Sequence, residues 1–451
     1  MRRKITQQLI DWKNRPDHKP LILQGARQVG KTYILDQFGR EHYKNYIKVS
    51  LDLVNDVRNF LKDNINPLEI IAYLETLYNV RIVPHETLVI LDEIQDCKRA
   101  LLALKYFQED YPQYDIVAAG SLLGVAVNQG NKPEEDWQKQ EKEEFSYPVG
   151  KADELRMFPM DFEEFLWATG NDILAQEIRS HFASDKAMPS SVHSLALNLY
   201  QHYLIIGGMP ESVKKWVETH SFLECRTVQE SILIGYNADM AKYAKPATTV
   251  KIRACFNSIP AQLAKENRKF QYKLAMKGGT AKIFGEAIEW LILAGIVHKC
   301  KLISHGFIPI SAQEDDSDFK VYMSDVGLLN TKAQMPAQIL LASIETENTF
   351  LGSVAENYVG QALSANGLTL RYWKNDNTQE VEYVLQDGMN IIPVEVKKGR
   401  KVNAISMNNF KKTYNCPFAY RISGKNFGFA NEIKSVPLYA VFCIEAKENL
   451  K

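Results

Sequence analysis

The chain opens with short apolar runs separated by loops and amphipathic stretches. Residues 21–23, 88–91 and 116–119 form three such runs, each too short for a helix. Wholly apolar runs of this length are typical of parallel strands that are covered on both faces. The first 120 or so residues therefore predict a buried parallel sheet with helices between its strands.

The pattern changes in the middle of the chain. From about residue 216 to 329, apolar residues recur at spacings of three and four, which predicts helices over 248–263 and 285–296. Two strand-like runs follow, at 297–303 and 319–323. Helices followed by two short strands resemble a winged helix.

Near its end the chain returns to strands. A predicted helix over 350–363 precedes a short strand over 370–374. Residues 381–386 and 391–397 then alternate between apolar and polar, with Asp387-Gly388 between them. Asp-Gly between two alternating runs is a strong signal for a β-hairpin. The C-terminal part therefore predicts an α/β segment that contains an antiparallel hairpin.

Composition excludes several classes of protein. The hydrophobic fraction of 45% and the charged fraction of 24% are globular values. The 54 basic residues balance the 54 acidic ones, so any nucleic-acid contact must come from local basic patches. No signal peptide and no apolar run long enough for a transmembrane helix is found. We therefore expect a cytoplasmic protein that does not associate with membranes.

Cysteines and histidines do not indicate a metal or redox site. The six cysteines are scattered without a C-x-x-C pair, and neither H-E-x-x-H nor G-x-S-x-G occurs. We expect the cysteines to be buried thiols.

The strongest motif follows the first apolar run. Residues 25–32 match G-x-x-x-x-G-K-[ST], and a helix-compatible stretch comes next. Glycines let successive N–H groups turn toward phosphates, and the new helix presents its positive end to the same anion. Lys31 would neutralise the β- and γ-phosphates of ATP, and Thr32 would offer its hydroxyl to Mg²⁺. The predicted nucleotide-binding residues are Gly25, Ala26, Arg27, Gln28, Val29, Gly30, Lys31 and Thr32.

Two further apolar runs end in polar residues. Asp92 and Glu93 close the second run, where Asp92 would hold Mg²⁺ through water and Glu93 would polarise the attacking water. Ser121 closes the third run and is either a sensor of the γ-phosphate or part of an ordinary strand-end turn. The predicted catalytic residues are thus Lys31, Glu93 and Ser121, with Thr32 and Asp92 as metal ligands.

Several phrases together resemble a family of prokaryotic AAA-superfamily ATPases. They are GARQVGKT, LVILDEIQ, AAGSLLGVAV, FPMDFEEFLWA and IIGGMPE, and the resemblance covers nearly the whole chain. Members join an N-terminal ATPase to a C-terminal domain of unknown function that looks like a restriction endonuclease. The resemblance implies an α/β protein with three domains: a P-loop AAA ATPase domain with a helical extension over 1–215, a winged-helix-like helical domain over 216–335, and a PD-(D/E)XK nuclease-like domain over 336–451.

An arginine finger is not evident in the sequence. Enzymes of this class often receive one from a neighbouring subunit, so the resemblance leaves a homo-oligomer open. Arg156 is a candidate by position alone. Without a finger, turnover would be slow and the protein would act as a nucleotide switch rather than a motor.

Residues 265–282 are basic. They hold six bases and one acid, with Phe270 and Tyr272 among them. Clustered bases beside aromatic rings are able to contact the phosphate backbone of DNA or RNA, and a solvated helix face accounts for the same residues equally well. The six bases are Lys265, Arg268, Lys269, Lys273, Lys277 and Lys282.

The predicted C-terminal hairpin carries carboxylates. Alternation places Glu395 and Lys397 on one face of their strand, and pairing brings Glu382 beside them. Two carboxylates with a lysine can bind Mg²⁺ and orient a water for phosphodiester attack. The arrangement resembles the PD-(D/E)XK core, which implies that Glu356 is the helical acid. A charged outer strand face explains the same pattern.

This segment departs from the family at one position and carries a second basic patch. Glu382 stands where the family phrase usually has Asp, and its extra methylene would displace the metal. A second basic patch follows the hairpin at Lys397, Lys398, Arg400 and Lys401, and would contact phosphates with or without cleavage.

Three hypotheses about function follow. The first is a slow Mg²⁺-dependent ATPase or nucleotide switch coupled to a C-terminal domain that faces nucleic acid. The second is a metal-dependent nuclease regulated by ATP. The third is a non-catalytic interaction protein that ATP stabilises in one conformation. A small-molecule kinase has no acceptor-site signature here.

Overall fold

The computed structural model describes residues 1–121, 148, 150–342, 349–375, 379–399 and 405–446. The chain forms two compact units. The N-terminal unit comprises Arg2–Phe158 with Leu293–Gly295, and the C-terminal unit comprises Met1, Pro159–Ile292 and Ile296–Lys451. The finer three-domain division stays a prediction.

A five-stranded sheet forms the centre of the N-terminal unit. Every pair of neighbouring strands is parallel, as predicted, and the order is β2-β3-β4-β1-β5. Both β3 and β4 are buried along their whole length because helices cover them. The strands are β1 (Leu21–Gln24), β2 (Asn45–Ser50), β3 (Thr87–Asp92), β4 (Asp115–Gly120) and β5 (Asp153–Arg156).

Helices pack against this sheet through apolar faces. Val57 and Leu61 of one helix meet Leu101 and Leu104 of another in the same core cluster. Since all strands run in one direction, their carboxyl ends lie along one edge of the sheet. The helices are α1 (Ile5–Asn14), α2 (Lys31–His42), α3 (Asn55–Asp63), α4 (Pro67–Tyr78) and α5 (Lys98–Asp110).

The C-terminal unit begins with helices. Glu164 and Asp161 form a reciprocal capping box at the start of the first one, which accounts for their burial. The third acid of the FPMDFEEFL phrase, Glu163, is buried in an ion pair with Arg179. The helices are α6 (Phe162–Ala168), α7 (Asp172–Ser184), α8 (Ser190–Ile206), α9 (Pro210–Thr219), α10 (Phe222–Tyr243), α11 (Pro246–Leu263), α12 (Tyr272–Ala275), α13 (Ala281–Leu293), α14 (Val326–Lys332), α15 (Ala337–Leu341), α16 (Thr349–Ala365) and α17 (Ile405–Thr413).

Three segments that are distant in sequence meet in the buried interior of this unit, around Met160, Gly208 and Asp325. Met160 N–H donates to the Gly208 carbonyl at 2.7 Å, and Gly208 N–H donates to Asp325 Oδ2 at 2.6 Å. A Cβ on Gly327 would lie 2.7 Å from the Gly207 Cα. Gly327, near the start of α14, therefore allows a close approach of two backbones. These segments serve the structure of the unit.

Two sheets complete the C-terminal unit. One has the order β7-β6-β8-β9 and the other β10-β11-β12-β14-β13. The predicted hairpin is confirmed as the antiparallel pair β10 and β11. The strands are β6 (Val297–Ile303), β7 (Glu314–Met323), β8 (Arg371–Lys374), β9 (Glu380–Val381), β10 (Tyr383–Asp387), β11 (Asn390–Val396), β12 (Ala419–Ser423), β13 (Gly428–Ala430) and β14 (Ile433–Pro437).

The sheet β7-β6-β8-β9 spans the boundary that the sequence placed near residue 335. Antiparallel β6 and β7 follow α11, α12 and α13, as a winged helix would require, but β6 also pairs in parallel with β8. This pairing could not be predicted, because the local sequence of a strand does not indicate which distant strand it will pair with.

All six cysteines are buried and free, as predicted. Among the described residues, no helix combines the length and the apolar character needed to cross a bilayer.

Candidate functional site

The glycine-rich loop joins β1 directly to α2. Gly30 has φ of 95° and lies just before Lys31, the first residue of α2. Gly25 is approached by another backbone, because a Cβ there would lie 2.3 Å from the Met157 carbonyl oxygen. Both glycines are thus required by the local geometry. The loop precedes a helix N-terminus whose free N–H groups favour an anion.

Lys31 lies inside this loop. Its ammonium donates to the carbonyls of Gly25 at 3.0 Å and Ala26 at 2.9 Å, and the residue is only 7% exposed. Burial lowers the pKa of Lys31 to about 8, although the charges of Glu93 and Asp92 act in the opposite direction. The lysine therefore carries a buried charge whose direct hydrogen-bond partners are neutral carbonyl groups. An anion would stabilise it.

Thr32 and Asp92 meet as the sequence predicted. The Thr32 hydroxyl donates to Asp92 Oδ2 at 2.7 Å, and Asp92 is buried at the end of β3. Hydroxyl and carboxylate oxygens are the hard ligands that Mg²⁺ prefers, and Mg²⁺ commonly takes few protein ligands and keeps water or phosphate oxygens for the rest. The two residues therefore fit a Mg²⁺ ion bound together with a nucleotide.

Glu93 follows Asp92 at the same edge of the sheet. Its backbone has φ of 53°, and its Oε2 accepts a hydrogen bond from Gln95 Nε2 at 2.5 Å. Ser121 is buried immediately after β4, where the preceding Gly120 is in register with Gln24 of β1. All predicted residues of this site thus belong to one edge of one sheet.

Two residues near the loop were not predicted. Gln95 donates a hydrogen bond to Glu93, two residues before it. Its position in the sequence, just after Asp92-Glu93, would have been enough to select it as a candidate. Arg3 contacts the loop from the start of the chain, far from it in sequence, so no local pattern indicates it.

Arg156 ends β5, in register with Gln24 of β1. Its guanidinium carbon lies 5.4 Å from the centre of the Phe158 ring. The residue therefore lies at the edge of the sheet that carries the loop. Its role as an arginine finger stays a prediction.

In the C-terminal unit, the structure brings together Glu382, Glu395 and Lys397. Lys397 Nζ lies 3.0 Å from Glu382 Oε1 and 2.6 Å from Glu395 Oε1. Burial raises the pKa of Glu382 to about 7, and the charge of Glu395 adds to this while Lys397 opposes it. The predicted pairing across the hairpin is therefore present.

Glu356 has different partners. Its carboxylate is bound by Arg268, by the Tyr322 hydroxyl, and by Lys320 at 2.8 Å. Burial would raise its pKa, but Arg268 and Lys320 outweigh burial and lower the pKa to about 2. Lys320 also lies 2.5 Å from Glu380. Glu356 is therefore part of a buried ion-pair network that favours its charged form.

A metal site of three acids is consequently not assembled in this region. Within the described ranges, no three His, Cys, Asp or Glu side chains form a group able to hold a metal ion. The expectation that Glu356 would join Glu382 and Glu395 as a ligand was wrong in its geometry, because Arg268, Lys320 and Tyr322 take up the Glu356 oxygens. What remains is a pair of carboxylates bridged by Lys397.

The basic stretch 265–282 is divided in its contacts. Arg268 pairs with Glu356, and Lys269 lies 2.7 Å from Asp318. These two bases are therefore not available to a phosphate backbone without breaking ion pairs, which corrects their inclusion in the patch. Of the second patch, Arg400 and Lys401 lie outside the described residues. The bases of the first patch that remain exposed are Lys265, Lys273, Lys277 and Lys282.

Comparison with protein families divides the chain into three matches. Residues 17–166 match the AAA domain, 197–338 match a domain of unknown function (DUF8612), and 351–441 match another domain of unknown function (DUF4143). The parallel sheet and its glycine-rich loop lie in the part of the chain that matches the AAA domain. No curated protein matches the chain.

Solved structures with some likeness include three nucleotide- or DNA-related proteins. The Walker-type ATPase PABY2304 of Pyrococcus abyssi is 15% identical, covers 74% of this chain and 95% of its own, and has a TM-score of 0.43. The Aeropyrum pernix Orc1 protein in complex with DNA is 12% identical over 75% of this chain and 92% of its own, with a TM-score of 0.28. AMPPCP-bound DnaA from Aquifex aeolicus is 12% identical, over 65% of this chain and 90% of its own, with a TM-score of 0.27. These scores are too low to assign a function.

Proposed function

We propose that this protein binds ATP with Mg²⁺ in its N-terminal unit and hydrolyses it slowly, as a nucleotide switch for a C-terminal unit that faces nucleic acid. The observation that carries the proposal is the convergence of Lys31, Thr32 and Asp92 at the end of a glycine-rich loop in an AAA-type domain. Each of these contacts joins groups that a magnesium nucleotide would use.

Each residue has a defined task in the proposed reaction. The loop N–H groups and the start of α2 receive the phosphates, and Lys31 exchanges its bonds to the loop carbonyls for bonds to phosphate oxygens. Thr32 and Asp92 would hold a Mg²⁺ ion, which would supply positive charge to the β- and γ-phosphates. Glu93, whose Oε2 accepts a hydrogen bond from Gln95, would accept a proton from the attacking water. Ser121 senses the γ-phosphate from the end of β4.

A steady-state assay of phosphate release tests this proposal. We expect Lys31→Ala to reduce turnover of Mg²⁺-ATP by at least about 100-fold, because the charge that meets the developing negative charge is lost. Lys44→Ala is the matched control, since Lys44 pairs with Glu86 on the surface of the same unit. Equal release by wild type and Lys31→Ala would remove the enzyme claim. Tight ATP binding with negligible turnover would favour the non-catalytic interaction protein.

The nucleic-acid part of the proposal is supported by charge. Lys265, Lys273, Lys277 and Lys282 are exposed around α12 and the start of α13, and no ion pair occupies them among the described residues. Such bases would contribute salt-dependent contacts to the phosphate backbone of DNA or RNA. The oligomeric state and the arginine finger remain outside this proposal.

Metal-dependent cleavage of nucleic acid is a second candidate function, favoured by one observation. Glu395 Oε2 is buried and has no hydrogen-bond partner in the part of the chain that the structure describes. An unpaired buried carboxylate oxygen beside Glu382 is suited to a cation. Glu356, in contrast, is already neutralised by side chains.

Incubation of DNA and RNA with Mg²⁺ or Mn²⁺ discriminates between these candidates. A nuclease would cut at least one substrate, and Lys397→Ala would abolish the cutting. Lys411→Ala is the control, because Lys411 pairs with Glu432 elsewhere in the same unit. If no substrate is cut by the wild type, the C-terminal unit does not act as a nuclease.

A further inference from the structure

Arg3 lies against the back of the glycine-rich loop. Its Nη1 donates to the Val29 carbonyl at 2.9 Å, and its Nη2 donates to the Phe158 carbonyl at 2.7 Å. The residue is only 7% exposed although it is charged and lies near the chain terminus. One guanidinium thus joins two backbone segments of the N-terminal unit that are far apart in sequence.

The bond to Val29 has a consequence for the following amide. In a trans peptide, the carbonyl and the next N–H point in opposite directions within one plane. A guanidinium that holds the Val29 carbonyl on one side of the loop therefore directs the Gly30 N–H to the other side. That peptide leads directly into Lys31, the first residue of α2. Glycine admits many backbone conformations, so the hydrogen bond from Arg3 restricts the orientation of this peptide.

A second link fixes the same part of the loop. Met157 N–H donates to the Gln24 carbonyl at 2.7 Å, and the Met157 carbonyl oxygen packs against Gly25. Arg3 binds the next residue, Phe158, so the segment 157–158 supports both ends of the loop. The loop is therefore held at two places, at Gly25 by Met157 and at Val29 by Arg3.

We propose that Arg3 is a positioning residue for phosphate binding: it holds the Val29–Gly30 peptide so that the Gly30 N–H faces the phosphates of the nucleotide. This inference rests on the proposed ATP-binding function. A guanidinium is suited to the task because its planar fork reaches two carbonyls at once, whereas an ammonium is a single point charge on a flexible stem. Arg3 contributes through the loop and does not contact the nucleotide.

The test compares Arg3→Ala and Arg3→Lys with wild type in calorimetric titrations with Mg²⁺-ATP. Without Arg3, the Val29–Gly30 peptide has to be ordered when the nucleotide binds, so we expect Arg3→Ala to raise Kd by about 10-fold. Arg3→Lys should lie between Arg3→Ala and wild type. Added guanidinium ion, at concentrations that leave the unfolding transition unchanged, should restore part of the affinity of Arg3→Ala. Arg2→Ala is the control, because Arg2 is exposed.

The outcomes separate this inference from the proposed function. Wild-type affinity in Arg3→Ala would overturn the inference and leave ATP binding intact, as would weakened affinity that guanidinium does not restore. If Arg3→Ala fails to fold, Arg3→Lys decides: an affinity equal to wild type contradicts the positioning role. Absence of binding by the wild type would overturn the proposed function and the inference with it.

Discussion

The two clusters of buried charge in this protein differ in what neutralises them. In the N-terminal unit, the Lys31 ammonium is bonded to backbone carbonyls, and its pKa is lowered to about 8 by burial. In the C-terminal unit, Lys397 is bonded to two carboxylates, and their charges raise its pKa despite burial. The same residue type is thus shifted in opposite directions.

This difference separates a site prepared for an anion from a cluster that already has its counter-ions. A negatively charged ligand would stabilise the charged form of Lys31 strongly, because the direct hydrogen-bond partners of this buried charge are neutral. A bound cation would stabilise the charged form of Glu356 only a little further, since Arg268 and Lys320 already lower its pKa to about 2. Buried charge alone therefore does not identify a ligand site, and the partners of each charge have to be known.

Removing the proposed base should produce the largest effect. We expect Glu93→Gln to reduce phosphate release by about 10²–10⁴-fold while Mg²⁺-ATP still binds, because general-base catalysis contributes on this scale and Glu93 does not hold the phosphates. The measurement is turnover together with equilibrium binding. Glu86→Gln, at a surface ion pair of the same unit, should leave both unchanged. Unchanged turnover in Glu93→Gln would show that another group activates the water.

Breaking the ion-pair network of the C-terminal unit should cost stability. Arg268→Ala leaves the buried Glu356 with one cation fewer, so we expect a loss of about 3 kcal/mol in the free energy of unfolding. Chemical denaturation measures this loss. Lys265→Ala, an exposed base of the same stretch, should change stability by no more than about 0.5 kcal/mol. Equal effects of the two substitutions would mean that Lys320 and Tyr322 suffice for Glu356.

The pH dependence of Glu382 gives a smaller and more specific effect. Its folded pKa of about 7 lies above the ordinary value of 4.5, so the folded state binds this proton more tightly than the unfolded state. The contribution of Glu382 to stability therefore grows as pH falls from about 7 toward 4.5, and it is absent above pH 7.

Comparison with Glu382→Gln isolates this titration. Between pH 7.5 and pH 5, wild type should gain on the order of 1–3 kcal/mol relative to Glu382→Gln in the free energy of unfolding. Glu432→Gln, at an exposed carboxylate of the same unit, should keep a constant difference from wild type. A constant difference for Glu382→Gln as well would contradict the raised pKa.

The positions of the residues of the N-terminal site could be predicted because the motif is local. The motif 25–32 is recognisable in the local sequence, and strand ends of a parallel sheet must share an edge, so Asp92 and Ser121 could be assigned to that edge in advance. The hairpin that joins Glu382 to Lys397 was predicted for a similar reason, since Asp387-Gly388 marks the turn.

Contacts between distant segments were not predictable in this way. Arg3 reaches Val29 and Phe158, and Arg268 reaches Glu356, through folding of segments whose local patterns are ordinary. The same limit applies to β8, which pairs with β6 across the predicted domain boundary. A cluster of basic residues in the sequence does not show which of them are available to a phosphate backbone. Arg268 and Lys269 are engaged in ion pairs with Glu356 and Asp318.

Calorimetric titration of Mg²⁺-ATP into wild type and Lys31→Ala tests the central claim most directly, namely that the buried Lys31 charge is the receptor for a triphosphate. The account predicts saturable binding at one site per chain in wild type and loss of that binding in a folded Lys31→Ala variant. Saturable binding of equal affinity in both proteins, or no binding heat from folded wild type, would contradict it.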